Sequence, residues 1–128
     1  MREDQEDAIL DATIGLEILL SDGEAQEVTH KLGLRLAALS TLVPGYEEQA
    51  TQVFHDVKKS IYPYRSAVVH GNDKRASKIG KTRAGGANTA VRLAIQYLAM
   101  AVRAIAAHPQ YLNPAAIDED LLIKKTNG

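Results

Sequence analysis

The stretch Tyr62–Gly71, which reads YPYRSAVVHG, decides how the rest of this chain is interpreted. Gly71 predicts the end of a helix, because glycine readily adopts the left-handed conformation that closes a last turn. The pattern therefore predicts a long helix over about residues 47–70, with Arg65 at the edge of its buried face and His70 in its last turn. Steps of three and four residues put the apolar positions on one face, and these positions are Phe54, Val57, Ile61, Tyr64 and Val68.

Two features of this helix decide whether Arg65 and His70 can act together. Pro63 removes one backbone donor inside the helix and predicts a kink one turn before Arg65. A five-residue step turns a side chain by about 140° on a regular helix, so Arg65 and His70 meet at one substrate only if the helix end unwinds or a second chain completes the cleft. The same spacing recurs at Arg103 and His108, so spacing alone does not identify a site.

Three further amphipathic segments predict helices, each ended by a break that contains glycine or proline. They cover about residues 3–20, 24–43 and 87–107. A short helix is expected over 117–123, within a C-terminal tail from 113 to 128. The chain is therefore predicted to be a single domain over residues 1–128, an all-α antiparallel bundle of four main helices plus a short C-terminal helix.

Composition favours a soluble protein with an aliphatic helical core. Of the 128 residues, 45% are apolar and 24% are charged, whereas aromatic residues make up only 5%. The longest apolar run, Leu93–Val102, is broken by Gln96 and is shorter than a membrane span requires. The acidic start lacks the apolar core of a signal peptide, and the absence of cysteine excludes disulfides and thiolate chemistry. We therefore expect a cytoplasmic protein that does not enter a membrane.

Charge is distributed unevenly along the chain, although the net charge is only −1. Residues 1–24 contain eight acidic residues and one basic residue, whereas residues 58–103 contain ten basic residues and one acidic residue. A positive block of this kind suits a phosphate-rich partner such as RNA, unless the acidic first helix packs beside it and neutralises it. Five bases in the segment after Gly71 are the candidate RNA-binding residues: Lys74, Arg75, Lys78, Lys81 and Arg83.

Two charged residues interrupt the apolar faces of the first two helices. Glu17 lies in the sequence GLEILL, and Arg35 lies in LGLRLA. An unpaired ion in an apolar face costs several kcal/mol, on the order of 3–5 when a buried pair is broken. We therefore expect either that Glu17 and Arg35 pair with each other or that one of them orients Arg65.

The context of Arg65 and His70 carries a family resemblance that their spacing does not. Written as Tyr-x-x-Arg-Ser-x-x-Val-His-Gly, residues 62–71 resemble the signature of HEPN domains, specifically of the Apea-like group. Residues 14–21 and 31–39 resemble the first two helices of that group, in the same order. The resemblance covers about residues 5–108 and implies a HEPN-like helical bundle that forms a homodimer.

The activity implied by the resemblance is that of a metal-independent endoribonuclease. In active HEPN proteins the arginine and histidine of both protomers meet in a cleft on the RNA backbone. Arg65 would then neutralise the phosphate as negative charge develops in the transition state. His70 would move a proton, taking it from the 2′-hydroxyl or giving it to the departing 5′-oxygen. The product would be a 2′,3′-cyclic phosphate.

The sequence departs from the family pattern at Ser66, where active members often carry Asn, Asp or His. Because the family also contains inactive binding modules, this departure affects the expectation of catalysis more than that of fold. Two alternatives stay open: a non-catalytic module that dimerises or binds a nucleotide or RNA, and a structural role in which Arg65 and His70 only stabilise the helix end. The residues expected to support the site are Tyr62, Ser66, Glu17 and Arg35.

No metal ion or other cofactor is expected. Glu27 and His30 have the spacing of a ligand pair in carboxylate-bridged bundles, but such sites need the motif twice and it occurs once. The segment Gly80–Thr82 resembles the end of a phosphate-binding loop, but no strand precedes it. The expected partners are RNA and a second copy of the chain. Members of this group often lie at the C-terminal end of longer proteins in defence or stress systems. A partner domain in a longer chain is therefore a further expected partner.

Overall fold

The computed structural model describes residues 2–23, 28–71 and 88–123, and in these ranges it contains five helices and no strand. A lone 3-10 turn, Pro109–Leu112, precedes the last helix. The predicted all-α helical bundle with a short C-terminal helix is confirmed. The helices are α1, Arg2–Leu20; α2, Val28–Ser40; α3, which joins Ala50–Asp56, Val57–Ile61 and Tyr62–Val69; α4, Thr89–Ala107; and α5, which joins Pro114–Ile117 and Asp118–Ile123.

Local side-chain chemistry explains where the helices begin and end. Asn88 and Asn113 precede α4 and α5, and each side-chain oxygen accepts a hydrogen bond from a backbone N–H in the first turn. Gly71 follows α3 with φ +69°, which confirms that this glycine ends the helix. Helix α2 ends at Ser40 rather than at residue 43, because the hydroxyls of Ser40 and Thr41 donate to carbonyls three residues back and the chain then turns.

The core is mainly aliphatic, as the composition predicts, and it also contains Tyr62, Tyr64, Tyr97 and Tyr111. Helix α4 contributes mainly alanines to it, which let the neighbouring helices approach closely, together with Tyr97 and Met100. Large side chains from the first three helices fill the remaining space. The fully buried members from α1, α2 and α3 include Ile9, Leu16, Leu20, Leu32, Leu36, Leu39, Val53, Val57 and Ile61.

Helices α1 and α4 lie side by side and run in the same direction. The Asn88 side chain donates to Gln5 at 2.9 Å, a pair separated by 83 positions in sequence. Gly15 lies closely against Leu98, because an added Cβ would lie 3.0 Å from a Leu98 methyl, which would then have to shift. This second pair has the same separation (98 − 15 = 83), so the two helices keep one register over ten residues. In an up-and-down bundle the first and fourth helices are antiparallel, so the antiparallel arrangement predicted from the sequence does not hold for α1 and α4.

Helix α4 is also the one helix in the described part of the chain with the length and apolar character of a membrane span. Its 19 residues give a mean hydropathy of 1.4 over an 18-residue window, of which 33% is buried in the bundle. The expectation that no segment is long enough rested on Leu93–Val102, and the helix extends beyond that run at both ends. Core helices of helical bundles share these properties, so length and hydropathy alone do not assign a membrane span.

Where the sequence predicts a kink at Pro63, the structure has a widened turn just before the proline. Val57–Ile61 is π-helical, and the N–H of Tyr62 bonds to the carbonyl of Val57, five residues back. Pro63 then falls in the first turn of the following α-helical segment, where its missing N–H is tolerated. Backbone dihedrals remain helical at the junction, with φ −74° and ψ −34° at Tyr62. The helix therefore continues through the proline to Val69.

A buried arginine ties α5 to the rest of the bundle. Arg35 is only 3% exposed, and its Nε and Nη2 donate to the two carboxylate oxygens of Asp118 at 2.9 and 2.8 Å. Its Nη1 donates to the carbonyl of Leu20 at 2.7 Å, and Nη2 also donates to Asp22 at 3.1 Å. The hydrogen bonds to Asp118 are the main cause that raises the pKa of Arg35. One guanidinium therefore joins α2 to the end of α1 and to α5.

We expect Arg35→Met to lower the free energy of unfolding by about 2–3 kcal/mol, because it removes charge-assisted hydrogen bonds and leaves the carbonyl of Leu20 without its buried donor. Lys31→Met is the matched control, since Lys31 lies 3.9 Å from Asp22 and both side chains are 35% exposed. The control should cost less than about 1 kcal/mol. Urea unfolding measures both, and equal losses would contradict a special role for Arg35.

Candidate functional site

The end of α3 places Arg65 and His70 in different surroundings. The Arg65 side chain is 33% exposed and faces α1, whereas His70 is exposed at the helix end. The backbone N–H of His70 donates to the carbonyl of Ser66 at 3.0 Å, and that of Gly71 donates to Val68 at 3.1 Å, so the last turn is closed. In the described part of the chain, no hydrogen bond or ion pair joins the Arg65 and His70 side chains. One closed helix end thus presents the two groups separately.

Glu17 on α1 is the acidic group that faces Arg65. Its Oε2 lies 4.0 Å from Arg65 Nε, and the two side chains are 30% and 33% exposed. At this distance the two charges attract each other, but they do not form a close hydrogen bond. Arg65 Nε is itself buried and has no hydrogen-bond partner within the described residues. Glu17 therefore orients the guanidinium without satisfying it.

Tyr62 completes a polar cluster between α1 and α3. Its ring centroid lies 5.7 Å from the Arg65 guanidinium carbon, in the range of a cation–π contact. The side chain is only 7% exposed, and its hydroxyl has no hydrogen-bond partner among the residues described. Burial first, and then the charge and hydrogen-bonding contact of Glu17, raise the pKa of Tyr62, so the phenol stays protonated. The Glu17 carboxylate therefore lies near the hydroxyl, although the two do not form a hydrogen bond of good geometry. We call Glu17, Tyr62 and Arg65 the α1–α3 polar cluster.

Two buried donors of the α1–α3 polar cluster, the Tyr62 hydroxyl and Arg65 Nε, form no hydrogen bond of good geometry with any described residue, although the Glu17 carboxylate lies near both. A buried donor without an acceptor costs about 1–3 kcal/mol, and such groups in a native structure are uncommon. A third of the Arg65 side chain remains exposed, so an anion can reach the guanidinium from solvent. The arrangement is chemically suited to binding an anion such as a phosphate.

The other predicted supporting residues lie in two different places. Ser66 is half-buried on α3, next to Arg65, and its carbonyl accepts the His70 N–H. Arg35 is not part of the cluster, because its guanidinium is fully engaged by Asp118 and by the end of α1. Of the two arrangements expected for Glu17 and Arg35, their mutual pairing is not formed, and Glu17 instead faces Arg65.

The remaining candidates do not add to this cluster. The predicted RNA-binding residues Lys74, Arg75, Lys78, Lys81 and Arg83 lie outside the described residues. Arg103 is exposed on α4, and His108 ends that helix beside Tyr111, with ring centroids 6.1 Å apart. Among the interactions described, Arg103 has no acidic or phenolic neighbour comparable to Glu17 and Tyr62, and the tyrosine of this second pair contacts His108 instead.

Sequence reasoning missed two features of the polar interior. The Tyr97 hydroxyl donates to Asp56, and burial together with this bond raises the pKa of Tyr97; single-sequence periodicity gives no signal for such a pair. Tyr62 is buried although it lies one position off the predicted apolar face. The π-helical turn explains this, because it widens the buried surface so that the consecutive residues Ile61 and Tyr62 are both covered.

Comparisons with known proteins do not assign the site. A scan against protein-family models finds no match, and searches of curated proteins and of solved structures find no significant match either. Among the described residues, no group of three His, Cys, Asp or Glu side chains is placed to hold a metal ion. The geometry of the α1–α3 polar cluster is therefore the basis for any proposal.

We expect Tyr62→Phe to leave the free energy of unfolding unchanged or to raise it by up to about 1 kcal/mol, because the buried hydroxyl that it removes forms no hydrogen bond of good geometry with any described residue. Tyr97→Phe is the matched control, since the Tyr97 side chain is also buried but its hydroxyl donates to Asp56. The control should lose about 1–2 kcal/mol. Both values come from urea unfolding curves. A loss at Tyr62 as large as that at Tyr97 would mean that the Tyr62 hydroxyl has an acceptor in solution.

Proposed function

We propose that this chain is a HEPN-type domain that binds RNA and cleaves it without a metal ion, through Arg65 and His70. The observation that carries the proposal is an incompletely satisfied guanidinium at the end of α3, with Arg65 Nε 4.0 Å from Glu17 and without a hydrogen-bond acceptor among the described residues. The resemblance of residues 62–71 to the HEPN signature supports the same assignment of roles.

In this proposal Arg65 binds the scissile phosphate. A guanidinium offers two parallel N–H groups to two phosphate oxygens, and it remains charged at every physiological pH. Glu17 attracts the Arg65 side chain towards α1 before substrate binds. When charge develops on the phosphate oxygens in the transition state, the guanidinium stabilises it without having to reorient.

His70 is the proton carrier in this scheme. The 2′-oxygen attacks the adjacent phosphorus and loses its proton, the bond between phosphorus and the 5′-oxygen breaks, and the departing 5′-oxygen takes up a proton. The products are a 2′,3′-cyclic phosphate and a free 5′-hydroxyl, so neither water nor a metal is consumed in the step. A histidine can serve as the base that accepts the proton of the 2′-hydroxyl or as the acid that gives a proton to the 5′-oxygen.

Two copies of the chain complete the cleft in this proposal. Arg65 and His70 do not meet within one chain, and on a regular helix they differ by about 140° in direction. A homodimer with the two α3 ends facing each other near residues 61–71 brings the arginine of one protomer towards the histidine of the other. Val69, which lies between the two positions, is 52% exposed, so this end of α3 has an apolar surface to bury.

The rival function is a non-catalytic module that binds a nucleotide or RNA. Two observations favour it: the closed helix end that separates Arg65 from His70, and Ser66 in place of the residues that active family members often carry. In that case the α1–α3 polar cluster would still bind a phosphate, but no bond would break. An activity measurement separates the two functions.

We expect purified protein to cleave RNA in the presence of EDTA and to leave 2′,3′-cyclic phosphate ends. Arg65→Ala and His70→Ala should each reduce cleavage by at least about a hundredfold, the usual scale for loss of general acid–base or electrostatic stabilisation. Arg65→Lys should also fail substantially, because an ammonium cannot make the planar two-pronged contact. Product ends are identified by treatment with a phosphatase before and after acid opening of the cyclic phosphate.

The second arginine–histidine pair supplies the control for this experiment. Arg103→Ala and His108→Ala have the same spacing but lie away from the α1–α3 polar cluster, and both should retain wild-type cleavage. Circular dichroism should show unchanged helix content in all variants. Retained activity in His70→Ala would contradict the mechanism, and RNA binding without cleavage by the wild type would favour the binding module.

A further inference from the structure

Helices α1 and α4 each expose a stripe of residues with steps of three, four, three and four. Within each stripe, the charged positions lie towards the N-terminal end of the helix and the apolar positions follow them. The α1 stripe consists of Asp4, Asp7, Asp11, Ile14 and Ile18, and the α4 stripe consists of Arg92, Ile95, Ala99, Val102 and Ala106. This spacing is the one that helices use to pack against another helix.

The apolar part of both stripes is unusually open to solvent. Ile18 is 75% exposed, Ile14 and Ile95 are each 52% exposed, and Val102 is 51% exposed. Because α1 contacts α4 through Gly15 and Leu98, the two stripes border one another on a single face. Contiguous exposed apolar side chains of this kind are typical of protein–protein contact surfaces. We call this surface the α1–α4 face.

The register of the two helices sets which residues are level across the face. With the constant separation of 83 positions, Arg92 is level with residue 9 of α1 (92 − 83 = 9), midway between Asp7 and Asp11. Val102 is level with residue 19 (102 − 83 = 19), next to Ile18. The face therefore has a charged end, acidic on α1 and basic on α4, and an apolar end on both helices.

We propose that the α1–α4 face binds a second copy of this chain, about a two-fold axis parallel to the two helices. Such an axis places α1 of one protomer over α4 of its partner in the same direction and at the same level. Arg92 then lies between the partner's Asp7 and the partner's Asp11, and Ile18 lies against the partner's Val102. Each contact occurs twice, and each matches opposite charges or two apolar groups.

Charge complementarity is what selects a second copy as the occupant. A uniformly acidic partner would be repelled by the three aspartates of the α1 stripe, and a uniformly basic partner would leave Arg92 without an acidic neighbour across the contact. The partner must present bases and acids in the opposite order at the same spacing, and the face itself does so. The stripes run for about 21 Å, and the two helices together are about 20 Å wide. The surface is therefore small for a stable interface and predicts a weak, concentration-dependent dimer.

This surface is separate from the ends of α3 that the proposed ribonuclease would pair, and it does not depend on that activity. If both contacts form, each protomer binds one partner through the α1–α4 face and another through the end of α3. The protomers would then be linked into larger assemblies. The variants below act on one surface at a time, so failure of one proposal is distinguishable from failure of the other.

Sedimentation velocity over micromolar concentrations tests the α1–α4 face in the wild-type chain. We expect reversible self-association that Ile18→Asp weakens at least about tenfold, with helix content unchanged because Ile18 is mostly exposed. Leu112→Asp is the matched control, since Leu112 is 64% exposed in the 3-10 turn away from this face, and it should have no effect.

A charge exchange tests the orientation. The double variant Asp7→Lys with Asp11→Lys should lose self-association, and so should Arg92→Glu, because each places like charges opposite one another. An equimolar mixture of these two folded variants should associate again, since both charge contacts of the mixed dimer are then attractive. A wild-type chain that stays monomeric, a dimer broken by Val69→Asp and not by Ile18→Asp, or a mixture that does not associate would each overturn the proposal.

Discussion

The attraction between Glu17 on α1 and Arg65 on α3 holds a charged group between these two helices near the end of α3. Its 4.0 Å separation leaves Arg65 Nε without a hydrogen bond, and the neighbouring Tyr62 hydroxyl is buried without an acceptor among the described residues. The folded chain therefore retains unused hydrogen-bonding capacity at this point. An anion that supplies acceptors would be stabilised by charge already held in place, which is the physical basis for assigning function to this cluster.

The two conspicuous arginines of the bundle show why burial alone does not identify a functional residue. Arg35 is 3% exposed and donates to two carboxylates and one carbonyl, so its capacity is used within the fold. Arg65 is more exposed and has fewer partners. The saturated arginine holds α5 in position, whereas the unsaturated one is available to a ligand. Counting satisfied donors separates these roles where sequence position does not.

Much of the fold was predictable from periodicity, and the details of the site were not. Apolar steps of three and four located four long helices, and Gly71 marked the end of α3 because only a left-handed residue closes that turn. Pairings between distant residues were missed, since Asp118 lies 83 positions from Arg35 and nothing local indicates the contact. The burial of Tyr62 was also missed, because the π-helical turn before Pro63 changes the face that a regular helix would bury.

The most direct test is an NMR titration of the arginine Nε–H resonances with uridine 3′-monophosphate. If the α1–α3 polar cluster binds phosphate, the Arg65 resonance shifts saturably, because its free Nε–H or its neighbouring N–H groups gain an acceptor. The Arg35 resonance, held by Asp118 at 2.9 Å, stays in place and serves as the internal control. A titration in which Arg65 does not shift, or in which Arg65 and Arg35 shift together, would contradict the account.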